Sequence, residues 1–353
     1  MSIKLFVHLV TWNGAKYIPY LFDSLKKQTY KDWKLYIWEN ASSDNTRELL
    51  KKELENFTIS HEFFESEKNL GFAGGHNELY KKTDSEYFLL LNQDMYLMPD
   101  ALEKMVKFFD ENKEVGSVSP RLMKWNFAEV EKDFDESFSN IIDSLGLKIF
   151  RNRRVIEKYA DKDWNEKKAK MELSFHTKDE ALEVFGVSGA LPMLRRASVN
   201  KVKFSNNNFL DELYGSYKED VDLAFRLRIA GFSSFVLLDT ITYHDRSVFG
   251  QEEITDIESL KKKTQQSNLV KYQSYKNHLM TIYKNEYWQN WLLDAFFIKW
   301  YELKKFGALL FFDREVLKGL KEIWSNRKIL YARRQEVKNM RQVSWNDLRQ
   351  WWK

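Results

Sequence analysis

Short apolar runs alternate with stretches of helical spacing over the first 121 residues, and that alternation restricts the fold more than any other feature. Residues 3–10, 33–38, 57–64, 87–91 and 115–121 read as strands. Between them, 16–28 carries Ile18, Leu21, Phe22 and Leu25 at helical spacing. Leu49, Leu50 and Leu54 mark a second helix, with Ser43 or Asp44 as its N-cap. Residues 69–77 open a third helix and 100–112 form a fourth. Strands joined by helical crossovers call for a parallel sheet, because a parallel pair cannot be closed by a tight hairpin. The expectation is an α/β fold with a mostly parallel, Rossmann-like central sheet flanked by helices.

Farther along, 141–143, 145–150 and 154–156 suggest a hairpin inside a charged excursion over 124–182. Residues 183–187 and 189–194 read as strands on either side of Ser188. A helix runs from 217 through Ala224, Leu227 and Ala230 to Gly231, followed by short strands at 234–238 and 241–244.

The 353-residue chain is 43% hydrophobic and has no cysteine, which excludes disulfides, cysteine-ligated zinc and thiol nucleophiles. The first apolar run is too short for a secretory signal, so a cytoplasmic protein is expected, at most peripherally attached to a membrane. The net charge of +4 hides an asymmetry. Residues 267–353 hold 17 basic and 8 acidic side chains, a net of +9, and the preceding residues carry a net of −5. A boundary at 267 would separate an acidic body, 1–266, from a basic, aromatic-rich helical appendage, 267–353.

Three polar clusters stand at the ends of these elements. Asn92, Gln93 and Asp94 follow the apolar run at a strand's carboxyl end, where open α/β sheets bind ligands. One carboxylate beside amides suits Mg²⁺ or Mn²⁺ on a diphosphate, since these ions take few protein carboxylates and complete their shells with phosphate oxygens. Asp94 could equally open the turn before the next helix. Glu219, Asp220 and Asp222 crowd one helix start, which the helix dipole alone would favour, and which also suits a general base. Tyr243, His244, Asp245 and Arg246 place a histidine in charged company, although a lone histidine is more often structural. Gly71, Gly74 and Gly75 fit neither the dinucleotide nor the P-loop spacing, but a Gly-rich helix start can still present N–H groups to an anion.

Taken in order, these pieces resemble glycosyltransferase family 2, inverting enzymes of the GT-A fold, and most closely its bacterial rhamnosyltransferase-like branch. The resemblance covers about residues 3–250. It rests on Thr11 to Gly14, Glu39 to Asp44, Asn69 to Gly74, Leu91 to Asp94, Ser188 to Ala190, Glu219 to Leu223, and His244. It implies that Thr11, Asn13, Glu39, Asn40 and Asp44 surround the nucleoside of a nucleotide-diphosphate sugar, dTDP- or UDP-linked. Asn69, Gly71, Phe72, Ala73, Gly74, Asn77, Asn92 and Gln93 would line the rest of the donor pocket. Asp94 would contact the cation, with His244 as second ligand. Ser188, Gly189 and Glu219 would border the acceptor, a saccharide or lipid-linked glycan of surface-polysaccharide synthesis, and Asp220 would be the general base. Two positions depart from the family pattern: Glu39 stands where Asp is usual, and Asn92 replaces the first acid of the metal motif.

In the tail, Trp288, Trp291, Leu292, Ala295, Phe296, Ile298 and Trp300 give a helical apolar surface, which Asp294, Lys299 and Glu302 make too polar to span a bilayer. Such a helix could lie on an anionic membrane, cap the body or form a dimer surface. A non-catalytic nucleotide-sugar or nucleic-acid binder using the basic tail is the alternative reading. No recognisable nucleic-acid module accompanies the charge, so no nucleic-acid partner is expected.

Overall fold

The run at 87–91 is a strand at the centre of the molecule, and its five side chains are all buried. A strand covered on both faces has no need of alternation, which accounts for the continuous apolar run. The computed structural model describes residues 3–166, 181–246 and 267–352. Part of the expected excursion (167–180) and the residues preceding the expected boundary (247–266) lie outside these.

The first half follows the alternation. Strands β1 (Leu5–Thr11), β2 (Trp33–Glu39), β3 (His61–Glu65) and β4 (Tyr87–Asn92) are linked by helices α1 (Ile18–Lys26), α2 (Thr46–Glu55) and α3 (Gly71–Lys82). Helix α1 turns Ile18, Leu21, Phe22 and Leu25 onto the sheet, the stripe its spacing predicts. The third strand is shorter than expected, and Phe57 instead packs in the turn that leaves α2, against Phe22 and Trp33. Neither Ser43 nor Asp44 caps α2. Its N-cap is Asn45, and Asp44 instead accepts from the Thr46 amide at 3.1 Å.

The chain continues through β5 (Met95–Leu97), α4 (Ala101–Glu111), β6 (Val115–Trp125), β7 (Phe138–Ser144), β8 (Leu147–Ile149) and β9 (Val155–Glu157). After these come β10 (Ala181–Glu183), β11 (Met193–Arg195), α5 (Arg196–Val202), α6 (Glu219–Ile229) and β12 (Ser233–His244).

The main sheet runs β10-β12-β6-β11-β4-β1-β2-β3, with β5 added to β12 and β7 to β6. Strands β3, β2, β1 and β4 are mutually parallel, as are β6 and β12, while β11 is antiparallel between β4 and β6. The sheet is therefore mixed, not mostly parallel: β1 to β4, β6 and β12 share one direction, and β5, β7, β10 and β11 run against it.

Three segments differ from expectation. The hairpin is β8 on β9 alone, because 141–143 belongs to β7, which pairs with β6. Ser188 lies in a connection between β10 and β11, farther from both than expected. The two strands expected after Gly231 are one, β12, with an irregular register between Leu237 and Ile241.

The C-terminal helices are α7 (Asn268–Asn285), α8 (Trp288–Phe312), α9 (Lys318–Ser325), α10 (Arg327–Asn339) and α11 (Trp345–Arg349). They share a core with α6, in which Val221, Phe225 and Ile229 meet Tyr287, Val337, Leu348 and Trp352. Each such buried side chain contributes about 1.5–3 kcal/mol relative to exposure. Helix α6 is thus clasped between the sheet and the C-terminal helices, and its first turn is held at the sheet's carboxyl end.

Candidate active site

A cavity of about 330 Å³ opens at that end of the sheet. Asn92 and Asp94 come to it from the end of β4, His244 and Arg246 from the end of β12, and Glu219 and Asp220 from the start of α6. Ser188 and Gly189 enter from the connection before β11, and Phe72 from the first turn of α3. Helix α7 adds Val270 and Ser274, so the C-terminal helices form part of the wall.

Asp94 and His244 face one another, with Oδ1 3.4 Å from Nε2. Asp94 Oδ1 is buried and has no hydrogen-bond partner. The other imidazole nitrogen, Nδ1, lies 2.9 Å from Asp143 Oδ2. Arg246 in turn bonds Asp143 at 3.0 Å and Glu157 at 3.0 Å. Glu157 also receives Ser188 Oγ at 3.1 Å and Ser144 Oγ at 2.6 Å. Burial disfavours the imidazolium, but Asp94 and Asp143 outweigh it and push His244 up to about 9. Burial likewise opposes the Asp143 carboxylate, yet Arg246 and His244 hold it well below the usual carboxylate range.

Two residues of this arrangement fit a divalent cation. An orphaned carboxylate oxygen and an imidazole nitrogen converge, and Asp143 on the far nitrogen fixes the ring as outer-shell partners of histidine ligands do. Among the described residues no cluster of three or more potential ligands occurs, so a cation would need other oxygens to complete its shell.

Asp220 stands on another wall. Its Oδ2 accepts from the Gly189 amide at 3.1 Å and its Oδ1 from the Val221 amide at 2.7 Å. Gly189 eases this approach, because a Cβ there would lie 3.1 Å from Asp220 Cβ and 3.4 Å from Oδ2 and would press the carboxylate aside by a few tenths of an ångström. Glu219 is buried, and its Oε2 has no partner. Burial first, then the adjacent Asp220 charge, pushes Glu219 up to about 8, so it is protonated at neutral pH. Just before them, Tyr217 and Lys218 take φ of +70° and +72°, a costly left-handed pair outside glycine. This strained turn aims Lys218 Nζ at Val155 O, 3.2 Å away across the cavity wall.

The other expected donor residues form a neighbouring lattice of loops. The Asn13 amide donates to Ser42 Oγ at 3.0 Å and Asn13 Oδ1 accepts from Ser43 at 2.8 Å. Asp44 accepts from the Ala15 amide, and Gln93 bonds both backbone groups of Trp12 at 2.9 Å. Asn40 joins Asn69 at 2.9 Å and Gly71 O at 3.2 Å. Gly71 has φ +71°, and a Cβ there would come within 2.7 Å of Gly215 O. The loop after β1, the loop after β2 and the start of α3 are thereby tied into one wall beside the cavity.

Several expected residues are placed otherwise. Asn77 is buried away from the cavity, with its amide committed to the backbone of Phe209 and Leu210. Ala73 and Thr11 are fully buried, and Glu39 spends its carboxylate on the Ser42 amide and Arg47. Gly74 lies inside α3 and packs on Leu70. The glycine stretch opens a helix, as expected, and from Gly71 onward it lies within α3.

Asp143, Glu157 and Lys218 were missed by sequence reasoning, and Arg246 was noted only as a neighbour of His244. Single acids ending the apolar runs 141–142 and 155–156 were the available signal.

Residues 6–201 match the family described as Glycosyl transferase family 2. A teichoic acid poly(glycerol phosphate) polymerase of Staphylococcus epidermidis is 25% identical over 117 residues, which are 33% of this chain and 16% of that one. The chain thus matches only a fraction of that relative's length. In structure, the chain is similar to GalNAc-T7 solved with UDP, GalNAc and Mn²⁺ (TM-score 0.57, 13% identity, 80% of this chain and 48% of that). It is also similar to S. aureus TarS 1–349 in complex with UDP-GlcNAc (TM-score 0.50, 16% identity, 98% of this chain and 92% of that). At such identities the likeness is one of fold, which is GT-A. The family match takes in more than half of the sequence and includes β1 to β4, the turn bearing Asp94 and the Ser188-Gly189 connection, and on that ground the chain belongs to glycosyl transferase family 2.

Proposed function

We propose that the protein is an inverting glycosyltransferase. It moves a sugar from a UDP- or dTDP-linked donor to a hydroxyl of a saccharide or lipid-linked glycan during surface-polysaccharide synthesis. The sequence resemblance favours rhamnose as that sugar. The observation that carries this reading is the cavity itself, which sets Asp220 on one wall and the Asp94–His244 pair on another. Donor sugar nucleotides in the GT-A relatives and the teichoic acid polymer in the name of the S. epidermidis relative support the donor and acceptor classes.

Asp220 accepts the proton of the acceptor hydroxyl, and its two backbone N–H contacts fix the carboxylate toward the cavity. Protonated Glu219 donates a hydrogen bond and orients the acceptor without adding a second negative charge. The acceptor oxygen attacks the anomeric carbon on the face opposite the leaving diphosphate, so configuration inverts in one displacement. Asp94 and His244 would hold Mg²⁺ or Mn²⁺, which when bound offsets the charge that develops on the leaving diphosphate. Lys218 and Arg246 add fixed positive charge to the same cavity.

The test is titration of UDP, dTDP and GDP with Mn²⁺, Mg²⁺ or EDTA, followed by transfer assays on Asp220→Asn. The variant is expected to bind donor normally and to lose at least roughly 10²-fold in turnover. Near wild-type turnover would remove Asp220 from the role of base.

A further inference from the structure

Helix α8 is built inside out for a helix in water. Its buried residues are Asn290, Asp294 and Ile298, one stripe at a spacing of four. Asp294 is fully buried among Arg151, Arg153 and Arg349, and Asn290 donates to Trp345 O at 2.8 Å. The polar side chains are therefore used inward, as anchors to the body. The opposite stripe, Leu292, Phe296, Trp300 and Leu303, points outward, with Phe296 73% exposed. Phe311 continues it toward the helix end, Phe312 closes the helix 83% exposed, and the indoles of Trp288 and Trp300 on α8 and of Trp324 on α9 are also exposed. Single exposed apolar residues are ordinary; a continuous stripe of aromatic and leucine side chains on one helix marks an interaction surface.

The charge on α8 and on the helices that follow it selects the partner. Lys299, Lys304, Arg314, Lys321, Arg327 and Lys328 are all exposed. Among residues 288–340 the exposed acid is Glu315, which pairs with Lys318. A second copy of the chain would bring two basic rims together, whereas anionic headgroups would neutralise one. No helix among the described residues is long and apolar enough to cross a membrane, so the face fits the surface of a bilayer and not its interior. We propose that the outward face of α8, with the exposed side of α9 that carries Lys321 and Trp324, docks this protein on an anionic lipid bilayer. Aromatic side chains enter the headgroup boundary and the basic rim lies against the phosphates.

The experiment does not depend on the transfer reaction. The full chain is floated with vesicles of equal parts phosphatidylglycerol and phosphatidylcholine, and with vesicles of phosphatidylcholine alone. Binding is expected to the anionic vesicles, weakened by salt, with a blue shift of tryptophan emission. The triple variant Phe296→Ser, Phe311→Ser and Phe312→Ser, all at exposed positions, is expected to lose at least roughly tenfold in partition while keeping its thermal midpoint. A second variant, Lys321→Glu with Lys328→Glu, is expected to weaken binding without touching the apolar stripe. Equal binding by wild type and both variants, or binding to neither vesicle, would overturn the proposal. So would a lipid-free dimer that the serine substitutions dissolve, which would give the face to a second copy.

Discussion

Glu219→Gln gives the most direct test of how the paired acids at the start of α6 share charge. Burial and the neighbouring Asp220 raise Glu219 from an ordinary value of 4.5 to about 8. Between those values the unfolded chain has released the proton and the native protein keeps it. The native state then binds more protons, so stability falls as pH rises, and the loss is complete above the folded value. A span of about 3.5 pH units at ~1.36 kcal/mol per unit sets a ceiling of about 5 kcal/mol. Water entry and side-chain movement on ionisation relieve part of this, which leaves about 2–4 kcal/mol. Glutamine has the shape of the neutral acid and never ionises.

Urea unfolding of wild type and variant at about pH 5, 7 and 9 reads the difference, and groups that titrate in both proteins cancel. The variant is expected to match wild type near the low end and to gain steadily toward the high end. Its turnover at neutral pH is expected to stay within roughly tenfold, since an amide also donates a hydrogen bond. Parallel stability profiles for the two proteins would show that Glu219 is ionised at neutral pH, and the division of roles between Glu219 and Asp220 would be wrong.

Asp94→Ala is expected to abolish the enhancement of UDP binding by Mn²⁺ while leaving binding in EDTA unchanged, as read by calorimetry. Gly189→Ala places a methyl 3.1 Å from Asp220 Cβ; displacement of the carboxylate should lower turnover by roughly 10–10²-fold with little change in melting temperature. Lys284→Met leaves Asp211 and Asp222 buried without their shared cation, and urea unfolding should show a loss of about 3–5 kcal/mol.

The parallel half of the sheet was legible because each buried strand is an apolar run and each helix carries a stripe at its own period. A strand was also expected at 189–194, but its direction was not legible, since nothing local in Met193–Arg195 says that β11 reverses and slots between β4 and β6. The single strand β12 looked like two because its register breaks between Leu237 and Ile241, around polar Asp239 and Thr240. The glycines of α3 suggested a helix start that presents N–H groups to an anion. Their use is close packing: a Cβ on Gly75 would lie 2.8 Å from Val10, so the small residues let the helix settle on the sheet. At the site, the residues on the page of the sequence were those at element ends, Asp94, Asp220 and His244. Asp143 and Glu157 reach Arg246 across sequence separations of 103 and 89 residues, which only the folded topology creates.

The three acids that open α6 show why charge placement alone could not decide their role. The helix dipole would explain all three equally. The folded chain assigns them separately. Asp222 is fully buried, and although burial opposes its charge, Lys284 and Arg226 hold it down at about 2. It is a structural anchor, and its cation comes from α7. Glu219 avoids a buried charge by keeping its proton. Asp220 shares the cavity with it and is held by the Gly189 and Val221 amides. The basic tail takes part in this division, since Lys284 pairs with Asp211 and Asp222 while Arg333 pairs with Glu212. Some of the tail's positive charge thus faces inward against the acidic body, beside the very turn that carries Asp220. The rest, on α8 to α10, faces out. One excess of charge therefore does two things: it fixes the helix that bears Asp220, and it leaves exposed basic side chains on the same helices as the apolar face of α8.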